Sequence, residues 1–413
     1  GFLRNNSNKT IQNDTSIEKT SQTVDKNKEL NEANIVKENI KENKKISSNQ
    51  TESNSSTKTE NNSLQVKEIK KASPSIEEIK YLIETWLSNK SNYMAGKGEL
   101  NLSKIVKEHI NTPMAGRTHL QHALPIPFGY KAATWLSGID RHIERLKEIQ
   151  NRLYNISFFG AAGTLASLGE KDGLNTQVEL AKELSLNVPD VSWHSIRDNF
   201  TETTGWLALV GSSLGKIAYD IMLMMQTETQ EVSEPFLHGR GSSSTMPQKR
   251  NPISSEVILA CSKILREYHS SMLDAMVLDH ERATGQWQVE WSSIPNAFII
   301  ASASISSAKF LLEGLEVSPE NMIKNMDKTK GLIVAESVMM SLASHLGRQV
   351  AHDLVYDCCR KSLKENVPFL DSLLSVKEIS NIFDKQELKK IISPTNYLGA
   401  SPAMAQKFLD NRK

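Results

Sequence analysis

From residue 128 onward apolar residues recur every three or four positions, and this period constrains the fold more than any other feature of the chain. Phe128, Ala132, Trp135, Ile139, Ile143 and Leu146 step by four and three, with Gln150 closing the series. One face of a helix of about 20 residues is therefore apolar and must be buried. Leu207, Val210, Leu214, Ile217, Ile221 and Met224 repeat the pattern. A third helix is expected after Asn251 and Pro252, read as an N-cap and a first-turn proline, and runs through Val257, Ile258, Cys261, Ile264 and Leu265. Two more are expected around Phe298 to Leu312 and from Val334 to Arg360. Alternating strand patterns are almost absent, so the fold class is all-α, a bundle of long helices. Gly205, Gly211 and Gly215 put small residues on one helix, where a neighbouring backbone can come close.

The first 73 residues differ in kind. They are rich in Asn, Lys, Ser, Thr and Glu, with Phe2 as their only aromatic residue. Such a segment buries too little apolar surface to offset its ordering entropy, and it reads as disordered and of low complexity. The chain begins with Gly1 rather than Met, which reads as a partial or processed sequence, and no signal peptide is apparent. Residues 74–110 read as a separate short helical unit. Its "WLSNKS" and "LSKIV" elements resemble the start of a domain found at the C-terminal end of cyanobacterial and chloroplast division proteins. The remainder divides into a central helical domain, 111–330, and a C-terminal helical domain, 331–413.

A net charge of +1 gives no reason to expect nucleic acid or an anionic membrane as a partner. Cys261, Cys358 and Cys359 form no metal spacing and no disulfide framework, so a reducing, cytoplasmic compartment is expected. The apolar run "AFIIASASISSAKFLL" is broken by serines and Lys309 and falls short of a spanning helix.

Four stretches carry groups suited to chemistry. In "GRGSSSTMPQKRNP", residues 239–252, Gly and Ser give backbone freedom. Lys249 and the N-terminus of the following helix could favour a serine alkoxide or a substrate carboxylate. The alternative is a solvated connector. In "TPMAGRTHLQHALPIPFG", Arg117, Thr118, His119 and Gln121 are crowded beside a Pro-rich turn. His119 suits general acid work because imidazole titrates near neutral pH, and His122 competes with it. "SWHSIRDNF" and "LDHERATGQWQVEW" mix His, Arg, an acid and Trp. Arg197 and Arg282 are either carboxylate clamps or members of surface ion pairs.

Together these stretches resemble the fumarase/aspartase superfamily of all-helical lyases. "GSSSTMPQKRNP" is similar to its signature loop, and "GRTHLQHALP" to its Gly-Arg-Thr-His region. "FFGAAGTLASLG", "WHSIRD", "MQTETQEVSEP", "HERATGQWQVEW" and "NYLGASPAMAQKFL" resemble its 3-carboxy-cis,cis-muconate cycloisomerase branch, whereas adenylosuccinate lyase shares the signature without "AAGTLASLG" and "GQWQVEW". The resemblance implies Ser243 as the general base that removes a proton next to a carboxylate. Lys249 and Asn251 would hold the carboxylate and the enediolate-like intermediate, and His119 would protonate or orient the departing group. Arg117, Thr118, Gln121, Arg197, Ser244, Met246 and Arg282 would bind a small polycarboxylate. The implied assembly is a homotetramer with each site shared between three subunits, needing no cofactor and no metal. Alternatives are adenylosuccinate lyase or another fumarate-releasing lyase, and an inactive fusion or fragment acting as a helical interaction protein. The superfamily's N-terminal domain, with its Thr-Ser-Gln-Asp element, has no counterpart before "GRTH" here; "TSQTVD" at 20–25 reads as a chance match.

Overall fold

The computed structural model describes residues 101–236, 245–246, 248–282 and 284–412. The expected disordered segment at 1–73 and residues 74–100 of the short unit expected at 74–110 lie outside these residues. The first described helix, α1 (Asn101–Glu108), leads into two strands, β1 (Pro113–Thr118) and β2 (Gln121–Pro127), and then into α2 (Phe128–Leu153). All six apolar positions of the α2 series are buried. The backbone of α1 comes so close to Gly129 that a Cβ there would lie 2.6 Å from the Val106 carbonyl oxygen. After α3 (Gly169–Leu184), α4 (Asp198–Met225) buries its whole predicted stripe.

The bundle is completed by α5 (Ile253–Ala275) and α6 (Gln286–Glu313), with α5 packed against both α4 and α6. At Gly211 of α4 a Cβ would stand 2.4 Å from Leu265 Cδ1 of α5, so small residues do bring these two helices together. On α5 only Ile258, Cys261 and Leu265 of the predicted stripe are buried, whereas Val257 and Ile264 are exposed on a second apolar flank. Helix α6 starts at Gln286, twelve positions before the expected Phe298, and carries Pro295 in its interior. By length and composition α4 and α6 could each cross a membrane, but both are packed as bundle helices.

Two short antiparallel pairs modify the all-α expectation. The first is the β1–β2 hairpin, formed by residues read above as a turn region. The second joins β3 (Val232–Ser233) to β4 (Glu316–Val317) and so ties the exit of α4 to the exit of α6. The chain continues through α7 (Pro319–Asp327) and a 3₁₀ turn at Leu332–Val334. The single helix expected from Val334 to Arg360 is two, α8 (Ala335–Leu346) and α9 (Arg348–Glu365). Gly347, at φ +79°, ends the first in a conformation open to glycine and costly for other residues. Val338, Leu342, Val355, Phe369 and Leu388 are the centre of a separate C-terminal core. It is closed by α10 (Phe369–Leu374), α11 (Lys377–Ser380) and α12 (Lys385–Ile391). The last helix, α13 (Ser401–Asn411), returns to α2, where Arg412 meets Asp140 at 2.7 and 2.9 Å.

Candidate active site

The hairpin shapes the first group of candidate residues. Thr118 pairs with Gln121 across it, leaving His119 and Leu120 as a two-residue turn. Both turn residues have left-handed backbones, at φ +51° and +61°. Two-residue hairpin loops demand this conformation, which is usually met by Asn-Gly. Histidine tolerates it, whereas a branched leucine is strained there. The turn therefore holds His119 exposed between the Thr118 and Gln121 side chains, on a rigid base.

Arg117 sits one residue before this turn. Its guanidinium donates two hydrogen bonds to Glu231, at 2.6 and 2.9 Å, and the Glu231 carboxylate is fully buried. Asn325 donates to the same carboxylate at 2.9 Å. Arg117, expected to bind substrate, is thus held to an internal acid and anchors the hairpin to the α4–β3 connection. His122, across the hairpin from Arg117, is half-buried. Burial pushes its pKa down, and the nearby Arg117 cation pushes the same way.

Arg197 and Arg282 behave differently from one another. Arg197 does clamp a carboxylate, but it is that of Glu290 on α6, at 2.8 and 2.6 Å in a buried pair. The rings of Trp193 and Phe200 lie 4.7 and 4.5 Å from its guanidinium carbon, so the cation is also stacked. Arg282 is exposed, and its hydrogen-bond partners among the described residues are the Gly160 carbonyl at 3.4 Å and His194 Nδ1 at 3.3 Å, beside the Trp287 ring. Burial lowers the His194 pKa, with the two arginines adding to the effect. The "WHSIRD" and "HERATGQWQVEW" stretches therefore meet in one aromatic, cationic wall, on which Arg282 has no carboxylate partner among the described residues.

The loop expected to carry the base is described only at its exit, and Ser243 and Ser244 lie outside the described residues. Met246, Lys249 and Asn251 are described: Met246 and Lys249 are exposed, Asn251 half-buried. Neither Asn251 nor a first-turn proline starts the next helix as expected. Helix α5 begins at Ile253 with Pro252 as its cap residue and no side-chain cap from that position. The capping group is Glu234, a buried carboxylate that accepts hydrogen bonds from the Ser254 and Ser255 N–H groups at 2.9 and 2.8 Å and from Ser255 Oγ at 2.7 Å. The helix N-terminus expected to attract a substrate anion is filled by one from within the chain. Arg250 completes the joint by donating to the Glu234 carbonyl at 2.7 Å and to Glu316 at 2.9 and 2.8 Å. These hydrogen bonds hold the Glu316 carboxyl below its usual range.

Glu231, Glu234 and Glu290 are the residues that sequence reasoning missed. A signal was present for Glu290 in "GQWQVEW", where the acid sits between Val289 and Trp291, whereas the polar "QEVSEP" gave none for Glu231 and Glu234. Among the described residues no hydrogen bond or ion pair joins the His119 turn to Lys249, Asn251 or Arg282. Nor is any cluster of three or more His, Cys, Asp or Glu placed there to hold a metal ion.

Comparison with known proteins gives the following similarities. A family model described as "Lyase" matches residues 100–265, and one described as "Adenylosuccinate lyase C-terminus" matches residues 331–408. The chain is 48% identical over 299 residues to trans-aconitate decarboxylase 1 of Mycosarcoma maydis, covering 72% of this chain and 60% of that protein. It is 41% identical over 308 residues to 3-carboxy-cis,cis-muconate cycloisomerase of Pseudomonas aeruginosa, covering 75% and 67%. It thus spans about two thirds or less of the length of these two relatives. The crystal structure of a fumarate lyase from Mesorhizobium sp. BNC1 superimposes with a TM-score of 0.72 at 47% identity, covering 78% of this chain and 72% of that one.

Proposed function

Because the chain belongs to the fumarase/aspartase superfamily of lyases, we propose that it acts on a small unsaturated polycarboxylate by moving a proton on the carbon next to a carboxylate. The leading reaction is interconversion of 3-carboxy-cis,cis-muconate and 4-carboxymuconolactone. In the lactone-opening direction Ser243 takes the proton, a carbon–carbon double bond forms, and the ring carbon–oxygen bond breaks to release a carboxylate. The charge that develops on the first carboxylate is held by Lys249 and Asn251, the term that dominates such eliminations. His119 protonates or orients the leaving carboxylate, with Thr118 and Gln121 beside it. Ser244, Met246 and Arg282 contact substrate, whereas Arg117 and Arg197 act through the elements they anchor.

The observation that carries this reading is the strained, exposed turn that holds His119 at φ +51°. Such conformations persist where surrounding structure over-determines them, and they concentrate at functional sites. Arg282, which meets no carboxylate among the described residues, supports it, since an exposed cation beside Trp287 suits a carboxylate ligand.

A second reading is decarboxylation of an unsaturated tricarboxylate, favoured by the 48% identity to trans-aconitate decarboxylase 1. Both readings require three carboxyl groups on a short unsaturated skeleton. Incubating the purified protein with 3-carboxy-cis,cis-muconate and with trans-aconitate separates them. Lactone formed from the first supports the cycloisomerase reading. Carbon dioxide released from the second supports the decarboxylase, and fumarate released from adenylosuccinate would move the assignment to that lyase.

Among the described residues no hydrogen bond or ion pair joins the hairpin turn, the loop exit and the Arg282 wall, which favours sites completed between copies in a homotetramer. The exposed apolar flank of α5 and α6 supports this assembly, with Ile299 63% and Trp291 62% exposed.

A further inference from the structure

We propose that a cavity between the β-hairpin and the C-terminal helices is a second binding site, for a short organic polycarboxylate. Its volume is 340 Å³, within the range of small-molecule sites. Of the residues considered above for catalysis or substrate binding, only His122, the competing acid candidate, lines it.

The polar groups of the cavity are cationic or neutral, with no Asp or Glu in its wall. Lys328 donates to the Glu228 carbonyl at 2.6 Å, and Lys330 donates to the Asn366 carbonyl at 2.9 Å and to its side-chain oxygen. These acceptors are uncharged, and neither ammonium forms an ion pair with a described carboxylate. Glu231, the acid that acts on His122 from nearby, has its charge balanced by the Arg117 fork. Two positive charges are thus left to one small space.

His122 supplies the second observation. Its Nδ1 is buried in the structure without a hydrogen-bond partner. A buried polar atom left this way is destabilising. A carboxylate bound in the cavity would meet the two ammonium groups, with the His122 ring in the wall beside it. Lys330 is also held at φ +52°, a strained conformation for a residue with a Cβ. Ala123 and Ile333 give the wall an apolar part. That combination suits a carbon skeleton bearing two or more carboxylates better than a bare inorganic ion.

Calorimetric titration of the full chain with citrate, and separately with inorganic phosphate, tests the site. Citrate is expected to bind, and Lys328→Gln with Lys330→Asn to weaken it by about a hundredfold, roughly a factor of ten for each charge-assisted hydrogen bond lost. Ala123→Phe, which fills the cavity without changing charge, is expected to block it, so the test survives if the lysine variant fails to fold. Lys249→Gln with Arg282→Gln is expected to leave this binding intact, whatever the reaction catalysed. Absence of citrate binding at millimolar concentration, or equal binding by the lysine and Ala123→Phe variants, would overturn the proposal. So would binding lost only in the Lys249 and Arg282 variant. Phosphate binding as tightly as citrate would overturn its assignment to an organic polycarboxylate.

Discussion

The carboxylate of Glu234 caps the helix that begins nineteen residues after it, accepting the backbone N–H of Ser255 at 2.8 Å and its hydroxyl at 2.7 Å. Glu234 lies five residues before the signature loop and Ser255 three residues after it, so one buried contact ties the two flanks of the loop. Glu234→Ala would leave those donors buried without partners and is expected to cost about 2 kcal/mol. Glu234→Gln, which keeps an acceptor oxygen, should lose less. Urea unfolding of the two variants checks the order; equal stability of both with the parent would show that the cap contributes nothing.

Arg197 and Arg282 lie on the same wall but should respond oppositely to substitution. Arg197→Met leaves the buried Glu290 carboxylate without its ion pair and should destabilise the fold by roughly 3–5 kcal/mol. Arg282→Gln removes an exposed cation with neutral partners and should leave the unfolding midpoint within about 0.5 kcal/mol of the parent. Its effect should fall on KM instead. Thermal melts and steady-state kinetics together distinguish the two roles.

Stability should also fall as pH drops below the ordinary histidine range. His142 is 4% exposed, and burial pushes its pKa from 6.5 down to about 4, with Arg145 and Arg141 acting in the same direction. Between these values the unfolded chain binds a proton that the folded chain does not, so unfolding is favoured as pH falls. The contribution is present in full above pH 6.5 and reaches a loss on the order of 3 kcal/mol near pH 4. His142→Gln can keep the hydrogen bond to Ser213, 2.8 Å away, and should flatten this part of the curve. An unchanged slope in denaturant melts from pH 7 to pH 4 would remove His142 as its source.

The exposed apolar flank of the bundle predicts association. Ile299→Glu places a charge on the exposed side of α6 and should shift the protein from tetramer to smaller species in sedimentation velocity. It should lower turnover in parallel, because the proposed sites need several copies. A monomeric parent protein would contradict this directly.

The bundle was legible in the sequence wherever one face of a helix carries the burial. The α2 and α4 stripes are read correctly because each apolar position meets a neighbour within the chain. Val257 and Ile264 mislead because periodicity marks a residue as apolar without saying what covers it. The hairpin was hidden by three prolines and by a His-Leu turn in place of Asn-Gly, so neither alternation nor turn chemistry announced it. The arginines were found as chemical groups, but their partners were not. Arg117 and Glu231 are 114 residues apart, and Arg197 and Glu290 are 93. No local pattern links residues at such separations, and only the packed fold shows which cations are already neutralised.

Turnover by Ser243→Ala, compared with the parent on the substrate identified above, tests the central claim most directly. Proton removal by the signature loop predicts a kcat lower by about a thousandfold or more, with KM changed little. A Ser243→Ala protein that keeps the parent's kcat would contradict the account.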